Sequence, residues 1–185
     1  GVELAGVKFT ASQHDATVRG VNSANKDMLL SAGMSGGIAD QIMGERQKGA
    51  FTNAVDLMER AKSIEATQLS RLKDFSGVFN AFIPTSGTAK DSTQFTLEGA
   101  TMTIGQAKSM VQNVGAASSE ELTSGVGLDT AEANNVRNAG AANIFSLANV
   151  SGIEGDDLVD MRSRLGQYKG ELSANEAVDY GGKVF

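Results

Sequence analysis

Residues 50–82, AFTNAVDLMERAKSIEATQLSRLKDFSGVFNAF, set the reading of this chain. Ala54, Leu57, Ala61, Ile64, Gln68, Leu72, Phe75, Phe79 and Phe82 recur at steps of three or four. That spacing predicts one long amphipathic helix with a single apolar stripe. Asp56 with Arg60 and Glu59 with Lys62 fall off the stripe at pairing distance. Ala61 to Leu72 and Ile64 to Phe75 repeat at eleven residues, a period that favours straight or slightly right-handed packing. Pro84 sets the end, because the residue before a proline is driven out of helical geometry.

Downstream of a polar loop, 85–93, apolar parity switches across Glu98-Gly99. A two-residue turn there pairs Leu97 with Ala100 and Phe95 with Met102. These four and Ile104 then share one face, with Thr96, Thr101 and Thr103 on the other. Residues 106–114 read as a short helix, and 115–127 as a loop with a helical turn at 118–122. Asp129 or Thr130 can cap a helix carrying Ala133, Val136, Gly140, Ile144, Leu147 and Ala148. Asp156 or Asp157 can cap a last helix through Leu158, Met161, Leu165 and Tyr168, with Arg162, Arg164 and Lys169 suiting its dipole. Gly181-Gly182 leads to a tail ending in Phe185.

Upstream, residues 1–20 alternate weakly and then turn polar, predicting an arm or short strand. From Asn22 the chain reads as helical until three glycines within 33–37 interrupt it; Ile38, Ile42 and Met43 resume the apolar face. The organisation is thus an arm (1–20), a long-helix and hairpin region (21–114) and an acidic helical region (115–185), the last two in one domain. The fold class is mainly α with a small β-hairpin.

The 185 residues hold 22 Gly, one Pro, one His, and neither Cys nor Trp. Each glycine inside an element costs roughly 0.5–1 kcal/mol against alanine, so the lone fold is weak. The net charge is −6, and the whole excess lies in 115–185. No lysine and arginine cluster matches a row of phosphates, which argues against a nucleic-acid groove. No run of 18 apolar residues exists, so no helix spans a membrane. The opening Gly1-Val2-Glu3-Leu4 lacks a signal-peptide pattern.

Without cysteine there is no thiolate nucleophile and no cysteine-ligated zinc. His14 has no second histidine to join it, and no Gly-x-Ser-x-Gly elbow is present. Glu120-Glu121 and Asp156-Asp157 sit where helices start, which makes them caps before catalysts. Residues 152–160 gather four acids without the spacing of a calcium loop. Gly125-Val126-Gly127 lacks the rest of a dinucleotide motif. Asn149-Val150-Ser151 matches a glycosylation sequon, a pattern common by chance.

These features predict a structural subunit rather than an enzyme, with no cofactor and no metal, that completes its core by self-association. Leu72, Phe75, Phe79, Phe82, Phe95, Leu97 and Met102 are the candidate interaction residues. A cysteine-free, glycine-rich chain suits a protein that unfolds readily and refolds without disulfides, as in a bacteriophage virion or an exported filament or needle. A small soluble helical binding or adaptor module, working through residues 50–82, is the alternative, and a cytoplasmic location is compatible with the sequence.

Overall fold

The computed structural model describes residues 1–166. The chain is mainly helical, with two small antiparallel strand pairs. It divides into two compact units, Gly1–Thr88 and Ala89 onward.

In the first unit, β1 (Val2–Leu4) and β2 (Val7–Phe9) pair with Val2 opposite Phe9 and Leu4 opposite Val7. Ala5 and Gly6 make the turn with φ of 52° and 79°. Thr10 then opens α1 (Ala11–Ser23): its hydroxyl accepts the Gln13 N–H, and Gln13 Oε1 accepts the Thr10 N–H. This reciprocal cap starts the helix well before Asn22, inside the segment expected to be an arm, because it satisfies two otherwise orphaned donors. Next come α2 (Lys26–Ser31), capped by Asn25, and α3 (Gly36–Arg46), capped by Ser35. The expected glycine break falls between them at Gly33, φ 93°.

Residues 50–82 are three helices rather than one: α4 (Ala54–Arg60), α5 (Ala66–Asp74) and α6 (Ser76–Phe82). Ala61 leaves helical geometry at φ −97°, ψ 81°, and Glu65 caps α5 reciprocally with Gln68. Phe75, at φ −89° and ψ 0°, separates α5 from α6. The stripe misled because short helices around one core repeat apolar residues at the same spacing as a long helix does. Ala54, Leu57, Ala61, Ile64, Leu72, Phe75, Phe79 and Phe82 are all buried. Gln68 is only half-buried and serves the cap, while Leu69 takes the core position.

In the second unit, β3 (Gln94–Leu97) and β4 (Ala100–Thr103) pair in the predicted register, Leu97 with Ala100 and Phe95 with Met102. Phe95, Leu97, Ala100, Met102 and Ile104 are buried, and Thr96 and Thr101 hydrogen-bond through their hydroxyls at 2.9 Å on the opposite face. Thr103 caps α7 (Ile104–Ala116), again reciprocally with Gln106. A π-helical turn follows at Glu121–Val126, where a loop with one helical turn was expected. The single helix expected after Asp129 is two, α8 (Thr130–Ala139) and α9 (Ile144–Ala148), because Gly140 takes φ 55° and Asn143 starts a new cap. The last helix, α10 (Gly155–Leu165), is capped by Glu154; Asp157 lies at its third position and accepts the Glu154 N–H. Tyr168, Lys169, Gly181, Gly182 and Phe185 lie outside the described residues.

The two units follow one plan. Each opens with a two-residue hairpin turn whose residues both have positive φ, 52° and 79° at Ala5-Gly6, 50° and 80° at Glu98-Gly99. Each continues into a Thr…Gln capping box and a helix of 13 residues. The caps Asn25 and Ser118, Ser35 and Asp129, Asn53 and Asn143, and Glu65 and Glu154 then follow in the same order. From Asn25 to Gly33 is one residue shorter than from Ser118 to Gly127, and the longer stretch is the one that is π-helical. A single inserted residue converts an α-turn to a π-turn in this way. The closing bond is kept: Met34 N–H donates to the Leu29 carbonyl, and Leu128 N–H to the Leu122 carbonyl.

Candidate functional site

His14 is a structural residue. Its Nε2 accepts the Ala54 N–H at 3.2 Å, which leaves Nδ1 to donate to Asp15 Oδ1 at 3.1 Å. The ring lies edge-on to Phe9, with centroids 6.3 Å apart. The imidazole thereby ties the start of α4 to α1.

Other charged groups are used in the same way. Arg46 Nη1 donates to the carbonyls of Val21 and Ala24, and burial lowers its pKa from the ordinary arginine value. Arg60 reaches the carbonyls of Glu45, Gly49 and Ala50, pairs with Asp56 at 3.1 Å and covers the Phe51 ring at 4.5 Å. The Thr52 N–H, then Arg60, holds the Asp56 carboxyl below its ordinary value; Lys48 does the same for Glu45. In the second unit, buried Lys108 meets Asp91 at 2.7 Å, and Arg162 donates to the Thr101 carbonyl.

One member of each carboxylate pair closes a helix start. Glu121 Oε1 accepts the Ser118 N–H and Asp157 Oδ2 the Glu154 N–H. Among the described residues no three His, Asp or Glu side chains converge on a point where an ion would sit. Asn149, of the sequon, is exposed at the end of α9.

The seven candidate interaction residues are all buried within the chain. Leu72, Phe75, Phe79 and Phe82 belong to the first unit and Phe95, Leu97 and Met102 to the second, each 8% exposed or less. The apolar face of β3–β4 therefore has its cover inside the chain.

A cavity of about 160 Å³ opens within the second unit, between α7, α8 and α9. Val111, Val114, Ala117, Val136 and Leu147 line its apolar walls, and Gly115, Arg137, Gly140 and Ala141 stand at the exposed side. Arg137 Nη1 donates to the Ala117 carbonyl, as Arg46 does to the corresponding Ala24 carbonyl in the first unit, but from three residues earlier in its helix. Sequence patterning did not reveal this cavity, since its lining reads as ordinary core. No protein-family model, curated protein or solved structure matches the chain.

Proposed function

We propose that this chain is a non-enzymatic structural subunit of a symmetric multi-copy assembly, in a bacteriophage virion as an internal, ejected or tail-associated component. The observation carrying this reading is how the chain uses its polar groups. His14, Arg46, Arg60, Lys108 and Arg162 hold backbone carbonyls, an amide or a neighbouring carboxylate, the work of a scaffold. Recurrence of one hairpin-and-helix module supports it too, since repetition of a module is how structural chains extend. The virion setting rests on composition: no Cys, no Trp, one Pro and 22 Gly suit a chain that refolds without disulfides.

Because the apolar stripe is consumed inside the chain, contacts with neighbours belong on the outer surface. Val2 and Val55 are the large apolar side chains exposed there among the described residues. Mass measurement by light scattering, with electron microscopy of the purified protein or its native particle, tests the reading. Repeated copies sharing interfaces above roughly 1,000 Å² are expected. A monodisperse monomer in the native setting overturns it and leaves the binding module, which the cavity between α7, α8 and α9 favours.

A further inference from the structure

Among the described residues, the two units differ in the connection between their third and fourth helices. In the first unit residues 47–53 join α3 to α4, and within them Phe51 is 2% exposed. Its backbone is clamped from both sides by one side chain: Phe51 N–H donates to Asn22 Oδ1 at 2.7 Å, and Asn22 Nδ2 donates to the Phe51 carbonyl at 2.9 Å. In the second unit only residues 140–143 join α8 to α9, and counted back from the Asn143 cap the place of Phe51 falls to Ala141, so no ring stands there.

The capping threonines, Thr10 and Thr103, fix the register of the two long helices. By that register Asn22 corresponds to Gly115, Val18 to Val111, Val21 to Val114 and Ala24 to Ala117. Counting from the caps of the next helices, Ile42 corresponds to Val136 and Leu57 to Leu147. All six of the second-unit residues line the 160 Å³ cavity. In the first unit Asn22, one of this set, fastens the backbone of the buried Phe51; in the second, Gly115 stands in place of Asn22 and Ala141 in place of Phe51, and the set lines an open cavity. An apolar cavity of about 150 Å³ is large enough to hold a benzene ring.

We propose that the cavity between α7, α8 and α9 is a docking site for a phenylalanine side chain presented by an extended segment of a protein partner. The chemistry is taken from Phe51, which arrives on the non-helical stretch before the Asn53 cap. With Gly115 in place of Asn22 the rim carries no clamp, and a β-carbon at Gly115 would meet nothing within 4 Å. A ring can therefore enter from outside at that point. The proposal rests on reading the chain as a protein-binding component and is independent of the number of copies, which mass measurement tests separately.

The test follows valine and leucine methyl signals of the full chain while N-acetyl-phenylalanine amide is added, with N-acetyl-alanine amide and toluene as comparisons. Saturable shifts of Val111, Val114, Val136 and Leu147 with the phenylalanine compound, and none with the alanine compound, are expected. Val21 and Leu57 should stay still until Phe51→Ala, or the milder Phe51→Leu, opens their seat. Gly115→Phe fills the cavity from within and should abolish the second-unit shifts while the β3–β4 signals persist. Unmoved second-unit methyls up to the solubility of the probe overturn the proposal. So does a response to toluene alone, which makes the cavity a site for free apolar molecules. Overhauser contacts from these methyls to an aromatic ring of residues 167–185 also overturn it, since the occupant is then the chain itself.

Discussion

The ring of Phe79 lies against the backbone of Gly20, so close that a β-carbon on Gly20 would come within 2.5 Å of ring atoms Cγ and Cδ2. Both residues are buried, Phe79 on α6 and Gly20 near the end of α1. Gly20→Ala gains up to about 1 kcal/mol in helix propensity. Overpacking costs about 1–3 kcal/mol, and more where the ring has no room to withdraw. A lower urea midpoint is therefore expected. Adding Phe79→Leu should restore part of the loss, and the non-additivity of the double mutant measures the contact.

Leu72 is fully buried on α5, and Met161 is its counterpart on α10. Truncating either to alanine should cost about 2–5 kcal/mol, the usual range for a buried aliphatic side chain. Denaturant curves at matched concentration read the loss. A wild-type midpoint for Leu72→Ala would mean that the face of α5 is not core.

Lys108 is 6% exposed while its partner Asp91 is 63% exposed, so the two ends of this ion pair are unequal. Asp91→Ala strands a buried ammonium and should destabilise by about 1–3 kcal/mol, below the cost of breaking a fully buried pair. Lys108→Met removes the charge itself and should be milder. Thermal melts of the two variants check the order.

Glu98 holds φ 50° in the β3–β4 turn, where an asparagine sits with less strain. Glu98→Asn should stabilise the second unit by on the order of 1 kcal/mol. Loss of solvent, and then the charge of Glu154, raises the Glu98 carboxyl pKa. An acid raised on folding favours the folded state below its unfolded value, near 4.3, and loses that contribution as pH rises through the raised value. Glu98→Gln should thus gain over wild type at pH 7, with the gain absent at about pH 3.

The hairpin at 94–103 was legible because register is a local property: a parity switch across two turn residues fixes every side chain to one face. The core positions within 50–82 were legible as well, but not their division into three helices. Apolar spacing reports which residues face a core and is silent about whether the backbone turns a corner between them. The capping box of Glu65 and Gln68 carries that missing information, in a stretch where Gln68 reads as part of the stripe. The duplication also had a signal, in Leu4, Gly6, Thr10 and Gln13 against Leu97, Gly99, Thr103 and Gln106. Ile64-Glu65 before Leu69 matches Ile153-Glu154 before Leu158 in the same way.

Composition and local pattern by themselves determined the mainly helical class, the hairpin register, the breaks at Gly33 and Pro84 and the lack of cysteine beside a single histidine. Each depends on residues a few positions apart, where backbone geometry does the deciding. Tertiary structure alone decided that Leu72, Phe75, Phe79, Phe82, Phe95, Leu97 and Met102 are buried within the chain. It also decided that His14 braces Ala54, that Asn22 clamps Phe51, and that a cavity stands open beside Gly115. Those outcomes depend on which distant faces meet and on how long a connection is, and no short window of sequence contains either.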